Sequence, residues 1–354
     1  MKYLFKVNLI GCLIILFSAC NHSSPNYLTG KVTDPQIQSL LLLGINQDMR
    51  FDSIIEIPVK NGKFHYQFEF DQPMAFDLML GSAKENGGGR FMPLFLQDSD
   101  VELTVHPEED FKKNKVQGGK LNEEYKSFQN YIDSISSKKH DFKFEDELAL
   151  GDSHIRINSS IVSYYLFLSN LIYFPEFVDL RKAKVYYKDL SESNKMHPYN
   201  ELAKNLLEAM ENVKIGNEYI DFSAPDMNGD EFKLSTEIEG KVALLNLWAT
   251  WCGPCIKKSR EVVPIYEKYK DQDFALINVA GEFRDTQRLE KFFENEKWPG
   301  INLVELDRQN NIWQKYGVDG AGGGMFLIDQ TGKLIAINPS SEEINIELEK
   351  RLIK

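Results

Sequence analysis

The chain is poor in the two side chains that most often build metal sites and nucleophilic centres. Its 354 residues include four cysteines and six histidines. The histidines stand at 22, 65, 106, 140, 154 and 197, so the C-terminal part has none. A structural zinc needs four ligands, usually a second C-x-x-C or a histidine pair. Cys252 and Cys255 have no such complement, because the other two cysteines, Cys12 and Cys20, lie at the far end of the chain. Zinc is therefore disfavoured, and no metal or other cofactor is expected. A Cys–His hydrolase is disfavoured on the same shortage. Positive charge is in deficit as well: 41 Lys and Arg against 53 Asp and Glu give −12. Phosphate binding needs clustered cations, so the acidic balance argues against nucleic acid as partner. Long apolar runs are also missing. Leu9 to Phe17 and the fourteen residues from Ile161 to Phe174 both fall short of the ~20 that a membrane span requires. What is present is a hydrophobic content of 42% and an aromatic content of 12%, enough for real cores in two or three domains.

Residues 1–20 read as a targeting segment, with Lys2 and Lys6 ahead of a short apolar core. It closes on Ser18-Ala19-Cys20, which resembles a bacterial lipobox in which Cys20 is lipidated after cleavage; Phe17, where Leu is usual, departs from that pattern. An ordinary cleaved signal with an incidental cysteine is the other reading. Under the lipoprotein reading Cys12 is discarded and Cys20 is capped. The mature chain then keeps only the two thiols at 252 and 255, which suits an oxidising compartment. Residues 21–26 are a polar tether.

From 27 to 119 the pattern is β. Phe64, Tyr66, Phe68 and Phe70 alternate with His65, Gln67 and Glu69, after an Asn61-Gly62 turn signal. Val101, Leu103 and Val105 alternate likewise, and Leu40–Leu43 and Phe91–Leu96 are shorter apolar runs. A small antiparallel β-sandwich domain is expected, with His65 and His106 on its surface or satisfied. Residues 120–213 switch to helical period: Leu121, Tyr125, Phe128, Ile132 and Ile135 share one face, and Leu202, Leu206, Met210 and Val213 share another. Ile161–Phe174 is expected to be a buried helix. Lys138–Asp146 is expected to be a solvated connection.

The last part, 214–354, carries the chemistry. Val242–Trp248 reads as a buried strand of a parallel sheet, and 256–271 as a helix. Between them stands Trp251-Cys252-Gly253-Pro254-Cys255. Cys252 thus falls at a helix N-terminus, where unpaired N–H groups and the helix dipole favour an anion. A thiolate is such an anion, so Cys252 is the expected nucleophile with a lowered pKa. Cys255 can close a disulfide back onto it. Gly253 gives backbone freedom, and Pro254 starts the helix where no N–H is needed. A plain structural disulfide is the competing reading, but it needs neither Trp251 nor Gly-Pro between the cysteines. Further elements are expected as strand 274–279, helix 286–296, strand 325–329, strand 334–337 and helix 341–352, with a hairpin at Asn228-Gly229.

LLNLWATWCGPC resembles the active-site segment of thioredoxin-fold proteins, the TlpA/ResA-like thiol–disulfide oxidoreductases in particular. The likeness runs from about Gly216 to the chain end, through DFSAPDMNGDEFKLS, Trp298-Pro299, YGV and FLIDQTGKLIA. The preceding β-rich part resembles a domain of unassigned function found ahead of thioredoxin domains in many Bacteroidota lipoproteins. The resemblance implies an α/β thioredoxin-like C-terminal domain behind the sandwich and a helical linker region. It also implies a redox disulfide Cys252–Cys255, exported proteins with disulfides as substrates, a membrane thiol carrier as electron donor, and a role such as cytochrome c-type biogenesis. A weakly active or non-catalytic binding module on the same platform is the rival.

Three positions depart from the family or vary within it. Family members often place Glu three residues after the second cysteine, where this chain has Lys258. With Lys257 and Arg260 it makes that end electropositive and favours thiolate, or these are exposed charges of little effect. Asn246 stands where thioredoxin has a buried Asp, and it cannot accept a proton; Trp248 follows on the same strand. Finally, the loop between YGV and FLID lacks the family's cis-proline and reads Gly320-Ala321-Gly322-Gly323-Gly324. With no proline, no cis bond is expected there, and Gly322, Gly323 and Gly324 leave the substrate loop less constrained.

Overall fold

Alternation governs one half of the first domain and continuous burial the other. The computed structural model describes residues 25–47, 54–86, 88–318 and 322–352; Cys12, Cys20, the expected signal and most of the tether lie outside them. Strands β1 (Asn26–Val32), β4 (Lys63–Phe68), β7 (Val101–Val105) and β8 (Lys115–Gln117) form one sheet in the order β4-β1-β7-β8. Strands β2 (Ser39–Gly44), β3 (Ile55–Pro58), β5 (Met74–Leu80) and β6 (Met92–Leu96) form the other, in the order β3-β2-β5-β6. A short helix α1 (Ala83–Asn86) follows β5. The first sheet alternates buried and exposed positions because its outer face meets solvent. In the second, the central strands β2 and β5 do not: Phe76, Leu78 and Leu80 of β5 enter the sandwich core, while Ala75 packs with the helices on the other side. The pairings are antiparallel except for one, β1 with β7, which is parallel.

Helices α2 (Lys120–Ser136), α3 (Phe144–Ile157), α4 (Ile161–Tyr173), α5 (Leu180–Ser193) and α6 (Tyr199–Asn212) make up the linking region. α4 is the hydrophobic one and is buried on most sides, capped by Ser160, whose hydroxyl accepts the N–H of Ser163. The connection expected at 138–146 is shorter than that, because α3 begins at Phe144 and carries the polar sequence on as a surface helix.

The last domain opens with the hairpin β9 (Ser223–Pro225) and β10 (Glu231–Lys233), then a short helix α7 (Leu234–Glu237). β11 (Val242–Trp248), α8 (Gly253–Tyr269), β12 (Phe274–Glu282), α9 (Gln287–Asn295), β13 (Ile301–Leu306), α10 (Ile312–Lys315), β14 (Gly324–Ile328), β15 (Leu334–Ile337) and α11 (Ser341–Leu352) follow. The sheet order is β13-β12-β11-β14-β15, with β11 parallel to β12 and antiparallel to β14. β11 is therefore central and buried along its whole length. Its alternation sorts the two cores. Leu245 and Leu247 face Trp313 and Tyr316, while Val242 and Leu244 face Val262 of α8 and Ile344 of α11. Strand β13 and helix α10 add to the elements read from the sequence.

Candidate active site

The end of β11 turns sharply into α8, and the two cysteines sit on that turn. Cys252 is the N-cap residue of α8, and the helix begins at Gly253, three residues before the expected start. Cys255 therefore already lies in the first turn. Its backbone N–H donates to Cys252 Sγ at 3.3 Å, which satisfies one of the free donors of the helix end. The two sulfurs are bonded to each other. Cys252 is buried, and Cys255 is half-buried. Further along α8, Pro264 removes the N–H that would meet the Arg260 carbonyl.

The approach to the turn is pinned by a carboxylate that sequence reading missed. Glu282 ends β12 and is only 2% exposed. Its two oxygens accept the backbone N–H of Thr250 at 2.7 Å and the Thr250 hydroxyl at 2.8 Å. Trp251 donates its indole N–H to the Gly281 carbonyl at 2.9 Å and stacks on Phe283 at 5.6 Å between centroids. Trp313 lies behind it, covered by the Arg308 guanidinium at 4.0 Å. Gly281 has no side chain because Trp313 and Arg308 occupy that space: a Cβ there would come within 2.5 Å of both. The strand was expected to stop at Val279. A lone acid closing an apolar run at the C-terminal end of a parallel strand was the available signal.

Each residue singled out from the sequence has a place. Trp248 is fully buried and stacks on Trp298 at 4.8 Å and against Phe292 at 5.0 Å, which ties α9 to the sheet. Asn246 shares its face of β11 and donates to Ser259 Oγ and Asn278 Oδ1, both at 2.9 Å. Asn278 in turn donates to the Pro299 carbonyl at 2.9 Å. This amide ladder is buried between β11, α8 and β12 and carries no charge. Lys257 and Lys258 are exposed on α8. Arg260 does not add an unopposed positive charge, since its guanidinium forks onto Glu296, which raises the arginine and lowers the glutamate. The electropositive end expected from three cations is thus reduced to two.

The glycine loop reaches the sulfurs directly. The Gly322 carbonyl lies 2.8 Å from Cys255 Sγ. A Cβ on Gly322 would sit 3.5 Å from Cys252 Sγ, and one on Gly323 would sit 3.1 Å from Cys255 Sγ and 2.4 Å from the Leu247 carbonyl. Both residues have positive φ, +81° and +135°. Gly324 opens β14 opposite Leu247. Glycine is therefore favoured at 322 by conformation and demanded at 323 by both contact and conformation. Residues 319–321 lie outside the described set. Among the described residues no peptide bond is cis.

A five-stranded α/β sheet with a C-x-x-C disulfide capping the helix after its central strand defines a thioredoxin-fold dithiol protein. The sequence pattern of the AhpC/TSA family matches residues 215–337, and that of a domain of unknown function, DUF4369, matches residues 27–125. Thiol-disulfide oxidoreductase ResA of Bacillus anthracis is 34% identical over 128 residues, covering 35% of this chain and 69% of ResA. ResA of Geobacillus thermodenitrificans is 35% identical over 144 residues, covering 39% and 78%. A solved thiol-disulfide oxidoreductase from Bacteroides fragilis is 20% identical, with a TM-score of 0.35, covering 38% of this chain and 98% of that one. The chain belongs to the ResA-like thiol–disulfide oxidoreductases, and it is an enzyme of the thioredoxin type acting on disulfide-containing substrates.

Proposed function

We propose that the chain is a membrane-tethered reductase of exported proteins, working through Cys252 and Cys255. The observation that carries this reading is the N-cap position of Cys252, whose sulfur already accepts the Cys255 N–H. That environment favours thiolate at Cys252 once the disulfide is reduced. The neighbouring Gly322 carbonyl favours the opposite at Cys255, because a reduced Cys255 can donate its S–H there and keep its proton. The two thiols are thereby given different roles.

In the reductase direction the Cys252 thiolate attacks one sulfur of a substrate disulfide. A Cys252–substrate bond forms, the substrate S–S bond breaks, and the leaving thiolate takes a proton. Cys255 then loses its proton and attacks Cys252 Sγ, which expels the second substrate thiolate and restores the enzyme disulfide. Two electrons pass to the substrate in each cycle. A membrane dithiol carrier returns them, since the compartment is oxidising. Cys255→Ser should hold the partner as a mixed disulfide on Cys252, recoverable by purification without reductant. Cys252→Ser should lower insulin reduction to the uncatalysed background. Failure of both would leave the dithiol without a catalytic role.

The periplasmic location rests on Ser18-Ala19-Cys20 after a short apolar core. Among the described residues no helix is long and apolar enough to cross a membrane. A tether of 21–26 would lead straight into β1, whose first residue is Asn26. Cys20→Ser should move the protein from the membrane to the soluble envelope fraction, and retention at the wild-type level would rule out lipidation there.

A further inference from the structure

Cations outnumber acids along one groove of the first domain. This groove, of about 1030 Å³, runs where α2 meets the sandwich, bordered by β8, the start of β6 and the 3₁₀ turn 108–113. Arg90, Lys112, Lys115 and Lys126 line it, against a single carboxylate, Asp133. The whole chain has the opposite balance, with acids outnumbering bases 53 to 41. Among the described residues none of the four cations pairs with a carboxylate, whereas surface lysines elsewhere, such as Lys84, Lys139, Lys184 and Lys268, do. Of the acids in the neighbouring 3₁₀ turn, Glu108 is turned onto the Arg90 backbone N–H and Asp110 pairs with Lys113. Apolar surface lies between the cations: Phe91 is 47% exposed, and Met92, Val116 and Tyr125 are half-buried.

The two sheet edges at this groove are treated differently. The edge of β6 is closed. Pro93 has no N–H to offer, and Asn122 of α2 accepts the Phe95 N–H at 2.9 Å and donates to the Phe95 carbonyl at 2.8 Å. β8 is paired on one side only, with β7, and all three of its residues line the groove. An open strand edge, cations in excess over the one lining carboxylate and interleaved apolar surface match an extended chain in which acidic and apolar residues alternate.

We propose that this groove docks an extended acidic segment of a polypeptide partner, away from the redox turn and independently of it. The acids meet Arg90, Lys112, Lys115 and Lys126, and the apolar side chains settle on Phe91 and Val116. The role is one of recognition, and no bond is made or broken there.

The test uses the full mature chain in its oxidised form and a fluorescein-labelled six-residue peptide alternating glutamate and leucine. Binding followed by anisotropy should weaken at least about tenfold in a Lys115→Glu, Lys126→Glu variant and should fall as salt rises. The neutral pair Lys115→Gln, Lys126→Gln should fall between wild type and the charge reversal, and it guards against a folding defect in the latter. Lys204→Glu, a distant substitution on α6, should leave binding unchanged. Insulin reduction by the groove variants should stay at the wild-type rate, so failure here is separable from failure of the dithiol reading. Equal binding of the glutamate peptide to wild type and both groove variants would overturn the proposal. So would equal binding of a peptide alternating lysine and leucine. Charge-dependent binding to phosphatidylglycerol vesicles without any peptide binding would overturn it too, and would assign the cations to a lipid surface.

Discussion

The redox turn and the seam between the sandwich and the helices are both buried polar arrangements, built in opposite ways. The turn is local: Thr250, Trp251, Cys252 and Cys255 are consecutive or nearly so, and the helix dipole they use belongs to the same segment. The seam is assembled from far apart. Tyr165 of α4 donates to Asp77 Oδ1 of β5 at 2.7 Å. The Tyr199 hydroxyl accepts the Ala75 N–H at 3.1 Å and lies 3.2 Å from the Ala75 carbonyl, onto which it donates. His197 Nε2 stands 2.9 Å from the Pro73 carbonyl. Burial lowers the histidine, which fits a neutral ring donating from Nε2 while Nδ1 accepts the Tyr199 N–H. The difference shows where each kind of information is kept. A chemical site that must present one reactive atom can be written in six residues. A docking seam exists only once the chain has folded back across 88 to 124 positions.

The sharpest way to break the comparison is at Gly323, where the local site depends on a distant loop. Gly323→Ala forces a Cβ to within 2.4 Å of the Leu247 carbonyl at a φ of +135°. We expect a loss of about 2–4 kcal/mol in the last domain and a fall in insulin reduction of at least about tenfold, because the displaced loop also carries the Gly322 carbonyl. All four tryptophans, 248, 251, 298 and 313, lie in this domain, so urea unfolding followed by indole fluorescence reads it without interference from the sandwich. An unchanged midpoint and rate would mean that the loop does not press on the sulfurs. Proline at 323, the substitution that sequence logic suggests for restoring the family loop, cannot reach this φ at all.

Legibility followed the same division. β11, β15 and α11 stand where hydrophobic period placed them, since each carries a dense apolar pattern. α3 and α5 were not anticipated because each buries only two residues, Gly151 and Ile155 in one and Ala183 and Leu190 in the other. So thin a stripe is hard to see among charges. β13 was missed because Asn302 and Glu305 interrupt its apolar residues. Glu305 is nonetheless fully buried, accepting the N–H groups of Ile312 and Trp313 at the start of α10. The parallel pairing of β1 with β7 is set by partners some seventy positions apart, and no local signal encodes it. At the site, the cysteines were plain from the motif. Glu282 and the contact role of the glycines were not, because their meaning lies in what folds against them.

The seam is sharpened by Asp77, where a smaller effect with a defined pH dependence is expected. Burial pushes its carboxyl up to about 6 from 3.8, with the Tyr165 hydroxyl bond pulling the other way. The sign follows from which state holds the proton more tightly. Below pH 3.8 the group is protonated both folded and unfolded, and it costs nothing. Between 3.8 and about 6 the unfolded chain ionises first, so stability is lost as pH rises. Above that window the folded protein carries a charged, poorly hydrated carboxylate at a cost of about 3 kcal/mol. Asp77→Asn keeps an acceptor for Tyr165 and removes the charge. The variant should therefore be more stable than wild type at pH 7.5, by up to that amount, and nearly equal to it at pH 4. Tyrosines 125, 164, 165 and 199 cluster here, so near-ultraviolet dichroism in the tyrosine band reports this region, while insulin reduction should be unmoved. A variant less stable than wild type at pH 7.5 would show that the carboxylate is held by more than the Tyr165 bond, and that the seam gains stability from the charge.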